Sequence, residues 1–475
     1  MLNYLGRQVI YSDEEVITRD NLVSVLTNAM NLHAQNSADI SYLYNYYKGY
    51  QPILDRVKEH STICNHIVEN RAYEIVSFKT GYLLGEPIQY VNRSGDESMN
   101  DPIERFNRFM VAENKDAKDK ELVDWFTICG TAYRLILPAK KGDLSPVRLY
   151  TLDPRNSFVI YWSGLGNKPL AGVRYVKTQT GEVIYSIWTE NRYYEITDGS
   201  MAASQNGKAI TKEEPVAYGR VPLIEYPANS ARLGAFEIVL PLLDAINACE
   251  SDRLDAIDAF VDALMVFKNV DIKAPEFLQL KDLGAIKIPA DGDVSYLVEE
   301  MNQQGSQTVV NDLYQSVLTI CGMPNRNGGL STSDTGTAVK YRDGFVAAEQ
   351  YAKNSESVFR KSEYDSLALM IKIANAIDPT LMLNVETPDV EIRFTRRNYE
   401  NISEKSTVLT TMLANPHIAP QLAFQHCGMF ADPDLAARIS EEYYEQYEKK
   451  QLDILNSTAG IHEDEGGEEE DVSET

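Results

Sequence analysis

Apolar residues recur at three- and four-residue steps over most of this chain, and the places where that rhythm breaks mark its divisions. From Asp20 to about Leu54 the spacing predicts a helix rich in Leu and Tyr, stopped by the glycine and proline of "YYKGYQPIL". A second helical stretch runs from Ile63 to Leu84 and stops at "GEP", Gly85 to Pro87. Ile103, Phe106, Phe109 and Met110 predict a third helix over Pro102 to Phe126. The period then changes. In "YVKTQTGEVIYSIWTENRYYEI", Tyr175 to Ile196, aromatic and β-branched runs broken at Thr180-Gly181 and Asn191 predict an antiparallel meander.

From Ala235 to Asn269 the pattern predicts one long helix. At 100° per residue, Leu242, Leu243, Ile246, Leu254, Ile257, Phe260, Val261, Leu264 and Met265 share one arc, while Asp244, Asp252, Asp255, Asp258 and Asp262 share the opposite one. That acidic arc carries no Lys or Arg, and acidic side chains three or four apart repel one another. It reads either as a solvated face or as a surface with a task. Asp271 to Met301 is a compact insert with Pro275, Gly284, Pro289 and "ADGDVSYLVEE", and Met301 to Cys321 returns as a second helix. After Thr337 no proline appears until Pro379, which predicts another long helix, with Gly344 as a possible kink. "VEIRFTR", Val390 to Arg396, alternates as a half-buried strand. Helices follow to about Leu455, and the tail "HEDEGGEEEDVSET" is too charged to bury anything.

Length and charge narrow the possibilities. At 475 residues the chain is expected to hold about three domains. Seventy acidic against 45 basic residues give −25, the wrong sign for a protein that grips nucleic acid with its whole surface. Cys64, Cys129, Cys249, Cys321 and Cys427 are scattered without a C-x-x-C pair, as expected of a reducing compartment. The first residues carry no signal-peptide pattern. Ser406 to Ala431 has no charged residue, but Pro416, His417, Pro420, Gln421, Gln425 and His426 argue against a membrane span.

Specific catalytic spacing is missing. The loop "GGLSTSDTGTAVKY" suggests a phosphate cradle, yet six residues separate Gly329 from Gly336 where four are needed, and Thr337 and Ala338 stand where Lys and Ser/Thr are needed. There is no H-E-x-x-H or G-x-S-x-G. His426 beside Cys427 reads as helix packing, and "DGD", Asp291 to Asp293, as a turn; no metal or cofactor is expected. With 70 acidic residues, carboxylate pairs arise by chance and support no hydrolase.

In this order and spacing, "YYKGYQPIL", "NRAYEIVSFKTGYLLGEPIQY", the acidic helix from Ala235, "CGMP", "SDTGTAVKY" and "VEIRFTRRN" resemble the portal proteins of tailed double-stranded DNA bacteriophages, the type found in long-tailed phages of Gram-positive hosts. The resemblance covers about Tyr42 to Lys450. It implies an α+β, predominantly helical portal fold: a mixed α/β wing (1–234), a first stem helix (235–269), a clip (270–300), a second stem helix (301–324), a tunnel loop (325–337), a kinked long helix (338–378), a wing return strand (379–398), crown helices (399–455) and a disordered acidic tail (456–475). It further implies a ring, usually of twelve subunits, at the portal vertex of the virion, assembled in the host cytoplasm and enclosing a channel for DNA packaging and ejection. Its partners would be the terminase large subunit and then the head–tail adaptor, both docking at the clip around Asp291 and Asp293, with major capsid and scaffolding proteins around the ring. Gly328, Gly329, Ser331, Thr332, Ser333, Asp334, Thr335 and Gly336 would face the passing double-stranded DNA. Lys340 and Arg342 are either brief phosphate contacts or ordinary surface charges. A DNA-processing or packaging enzyme, and a head or neck adaptor that never closes into a ring, are the alternatives.

Overall fold

In the computed structural model, residues 6–59, 63–94, 96–140, 142–198, 210–216, 219–261, 264–269, 290–297, 303–325, 344–379, 385–395, 402–430 and 433–461 are described. Helix outweighs strand, about 53% to 18%, so the fold is α+β and predominantly helical. The chain divides into two compact units rather than three: Met1–Leu84 with Arg108–Thr387, and Gly85–Asn107 with Pro388–Thr475.

The larger unit is built on two sheets. Strand β1 (Ile10–Ser12) pairs in parallel with β5 (Ser157–Trp162), and β6 (Pro169–Lys177), β7 (Val183–Thr189), β8 (Arg192–Thr197) and β9 (Ile210–Pro215) continue the sheet antiparallel. The meander therefore falls where alternation and its turn residues predict it. A second sheet, in the order β10 (Leu223–Pro227), β3 (Thr131–Pro138), β4 (Val147–Leu152), lies close against it. Gly172 on β6 permits that approach, because a Cβ there would sit 2.3 Å from the Cβ of Leu223. Helix α1 (Leu22–Tyr47) joins Ile10, Phe158, Val159, Ala171 and Val173 in one core through Leu22, Val25, Leu26 and Ala29.

Two predicted helices are redrawn. Residues 63–70 form no helix, and helix α2 starts only at Arg71, running to Leu83, with the Asn70 side chain accepting from the Tyr73 amide. Asn occupies its preferred N-cap role here and sets the start. The expected helix over Pro102 to Phe126 is two, α3 (Asn100–Ala112) and α4 (Lys115–Cys129), separated by Asn114 at φ 51°. Asn tolerates the left-handed region better than other non-glycine residues, so the apolar rhythm continues while the helix axis does not. Gly130 ends α4 at φ 77° with Arg232 packed so close that no side chain fits.

The smaller unit joins distant stretches. Strand β2 (Gln89–Asn92) pairs antiparallel with the strand Val390–Arg393, which becomes β13 in chain order, and Tyr90 packs edge-on to Phe106 with ring centroids 4.9 Å apart. Grouping by contact places this strand with Gly85–Asn107 and with the C-terminal helices. Those helices are Ile402–Leu413, Pro420–Cys427 and Pro433–Ile461. Cys427 is buried and its thiol donates to the Phe424 carbonyl at 3.2 Å. Among the described residues no helix is long and apolar enough to cross a membrane.

Candidate functional site

After β10 the chain forms the helical pair, α5 (Leu240–Val261) and α6 (Gln303–Cys321). Leu240, Leu243, Ile246, Val310, Val317, Leu318 and Cys321 share a core with Ile40, Leu43 and Tyr46 of α1 and with Ala72, Ile75 and Val76 of α2. Helix α5 is shorter than the predicted 235–269. At its start, Glu237 is drawn inward to a buried pair with Arg7 and accepts the Gly234 amide at 2.8 Å, which makes a single tight turn of 237–239. At its end, Leu264–Lys268 becomes strand β11 and pairs antiparallel with β12 (Asp293–Leu297), Lys268 opposite Asp293. The short apolar run Leu264–Phe267 serves a ladder as readily as a helix, and the partner strand decides. Asp293, the first residue of β12, and Asp291, in the turn before it, are both exposed. Residues 270–289 and 298–302 lie outside the described residues, as does Asp262.

The predicted acidic arc of α5 meets bases from elsewhere in the chain. Lys58 donates to Asp255 at 2.5 Å and contacts Asp252 at 3.2 Å, and Arg56 pairs with Asp252. Asn65 binds Asp255 through its amide at 2.6 Å and reaches Asp258 through its side chain at 2.7 Å. Asp244 accepts from the Tyr46 hydroxyl at 2.8 Å. Burial works against the charges on Asp252 and Asp255. Hydrogen bonds from Arg56 and Lys58 to the first, and from Lys58 and Asn65 to the second, nevertheless hold both carboxyls below their ordinary range. Asp244 is raised by burial against the opposing tyrosine bond. The expectation of an uncompensated acidic face is therefore corrected. Asp255 is buried, whereas Ile257, assigned to the apolar arc, is 44% exposed. The segment that follows α1 covers the face, which helical periodicity alone cannot reveal.

Gly328, Gly329, Ser331, Thr332, Ser333, Asp334, Thr335, Gly336, Lys340 and Arg342 all lie outside the described residues. Their flanks are informative. Helix α7 (Phe345–Ile377) begins with Gly344 as its N-cap at φ 81°, so this glycine starts the helix instead of kinking it. A Cβ on Gly344 would lie 3.6 Å from the Cα of Pro324, so the chain leaves and re-enters at one point across residues 326–343. Pro324 follows Gly322 and Met323, whose bonds to Thr319 and Leu318 close α6.

A buried ionic cluster fixes α7 to the second sheet. Lys115 lies 2.6 Å from Asp119 and 2.9 Å from Glu363; Arg134 pairs with Asp119 and lies 3.1 Å from Glu363. The Tyr226 hydroxyl donates to Glu363 at 2.7 Å, with Ser366 Oγ 2.5 Å away. Two cations balance two anions with almost no exposure. An unbalanced charge here would cost several kcal/mol of desolvation. Only Arg134 left a trace in the sequence, as a charge inside the apolar run "TAYRLILP". Neither Glu363 nor the Arg56–Lys58 clasp had one.

A model of the family "Phage portal protein, SPP1 Gp6-like" matches residues 30–453. No curated protein matches the chain. Among solved structures, a chain from the neck of an empty GTA particle, computed with C6 symmetry, superposes at a TM-score of 0.45 and 10% identity, over 82% of this chain and 94% of that one. The family match takes in α1 from residue 30, the first sheet without β1, the whole second sheet, the helical pair with its ladder, and α7. By this match, the chain belongs to the SPP1 Gp6-like phage portal proteins.

Proposed function

We propose that copies of this chain close into a ring, of twelve subunits by the family likeness, around a channel through which double-stranded DNA is packaged and later ejected. The observation that carries this reading is the family match from residue 30 to residue 453. The geometry beside Gly344 supports a channel-facing role for Gly328 to Gly336. Pro324 and Gly344 bring the two ends of the segment together, and its Ser and Thr hydroxyls offer weak bonds to any sequence. Lys340 and Arg342 are placed in the chain to give brief phosphate contacts. The ladder at the tip of the helical pair, with Asp291 and Asp293 exposed, is the docking surface for the terminase large subunit and then the head–tail adaptor. Capsid and scaffolding proteins surround the ring at the portal vertex of the virion, after assembly in the host cytoplasm. The role is structural, with no hydrolytic chemistry of its own.

Native mass measurement and negative-stain imaging over a range of salt test the ring. A closed assembly of many 53.4 kDa copies is expected, and monomers at every concentration would sink the reading. Deleting Gly328 to Gly336 is expected to leave the assembly mass unchanged and to reduce DNA packaging. Normal packaging by the shortened protein would remove the loop from the channel.

A further inference from the structure

We propose that the cavity between α2, the end of α4, the end of α6 and α7 binds a small aromatic carboxylate, with the Lys79 ammonium holding its charged end. The cavity measures about 450 Å³, within the range that takes a small organic molecule. Residues 228–235, ahead of α5, complete its wall. Every lining residue belongs to a single copy of the chain and to one compact unit. The site is therefore complete without a neighbour and does not rest on the ring proposed above.

Phe78, Tyr82, Leu83, Phe126, Ile320 and Tyr351 make the lining apolar and aromatic. Phe78 and Tyr82, one turn apart on α2, stack with ring centroids 5.4 Å apart. Tyr351 of α7 lies against the end of α6. Its hydroxyl donates to the Ile320 carbonyl at 3.3 Å, and its ring occupies the space that a Cβ on Gly322 would need. Lys79 is the one charged residue in this lining, and it is only partly exposed. Its Nζ sits 5.0 Å from the centre of the Tyr351 ring, and among the described residues no carboxylate pairs with it. The Glu349 carboxylate on α7 is engaged by the Tyr82 hydroxyl at 3.1 Å and by Lys353 at 3.9 Å. Cys321 supplies no counter-charge either, since burial pushes its thiol up to about 11 and keeps it neutral. Burial accordingly lowers the pKa of Lys79, as expected of a cation short of a counter-ion. A carboxylate guest brings that counter-ion, and an aromatic body matches the rings around it. A nucleic-acid backbone is the wrong guest, because it needs a row of cations and the lining offers one.

Isothermal titration of the full-length protein with 2-naphthoate, beside its uncharged counterpart 2-naphthylmethanol, tests the site. Saturable binding of one naphthoate per chain is expected. The alcohol should bind about tenfold more weakly or worse, the contribution of a hydrogen bond to a charged group. Lys79→Met should bring naphthoate down to the level of the alcohol, while Lys79→Arg keeps most of the preference for the acid. Ala352→Phe places a ring inside the cavity from α7 and should abolish binding of both compounds. No saturable naphthoate binding to the unaltered protein, equal affinity for acid and alcohol, or full binding by Ala352→Phe overturns the assignment. The comparison of acid with alcohol needs no variant, so a substitution that fails to fold leaves the test standing.

Discussion

Lys115, Asp119, Arg134 and Glu363 hold two positive and two negative charges at no more than 4% side-chain exposure, whereas Arg56, Lys58, Asp252 and Asp255 hold the same four charges at the edge of α5 with Asp252 56% exposed. The groups are alike in composition and opposite in environment. In the buried cluster every charge depends on every other, because water cannot replace a lost partner. At the edge of α5, water and salt stand in for Arg56 or Asp252, and only Asp255, 7% exposed and bonded to the Asn65 amide, behaves as an interior group. The contrast separates two jobs. The buried cluster joins strand to helix across 229 residues of sequence, between Arg134 and Glu363. The edge cluster fastens a surface segment.

The strongest way to break this comparison is Arg134→Met. It leaves Lys115 as the single cation beside buried Asp119 and Glu363 and is expected to cost about 3–5 kcal/mol in denaturant unfolding; a loss below about 1 kcal/mol would make the two clusters equivalent. His33 sets the scale for an ion buried with no opposite charge beside it. Burial lowers its pKa from 6.5 to about 4, against a bond to the Arg155 carbonyl. Below pH 6.5 the unfolded chain takes a proton that the folded one refuses, so stability falls as pH drops toward 4, by about 3 kcal/mol in all. His33→Gln should flatten that slope in chemical denaturation, and an unchanged slope would remove His33 as its source.

Asp255→Ala comes next, expected to cost about 1–3 kcal/mol because the Asn65 amide loses its acceptor. The depressed carboxyls give the acid signature. Their contribution is complete above the ordinary unfolded carboxylate value of about 3.9 and disappears as pH falls through their lower folded values. Hydrogen exchange at the Asn65 amide should accelerate in that window and not above it. Asp252→Ala is the smallest change, at most about 1 kcal/mol, and should vanish in about 1 M salt where the Arg134 effect persists.

The meander, the helical pair and the start of the return strand were legible because each rests on a local rhythm: alternation in Tyr175 to Ile196, apolar arcs in Leu240 to Cys321, turn residues between them. The partners were not. Arg56 and Lys58 meet Asp252 and Asp255 from almost 200 positions away, and helical periodicity carries no record of what lies across an interface. The break at Asn114 was hidden for the opposite reason, since the apolar spacing passes through it unchanged. The family was legible only through the order of whole motifs, from "YYKGYQPIL" to "VEIRFTRRN", and the match over residues 30–453 shows that family.

The ladder between Gln89–Asn92 and Val390–Arg393 imposes an order in time. A ribosome delivers β2 long before its partner, so the smaller unit, made of Gly85–Asn107 and Pro388–Thr475, cannot close until the intervening chain has been synthesised. Closing so long a loop from the disordered state costs roughly 5 kcal/mol in chain entropy, and prior folding of the residues between would have paid part of it. Until β13 arrives, β2 is an open edge able to pair with another nascent chain. This one short strand thus marks an interval in which the growing chain is open to misassembly.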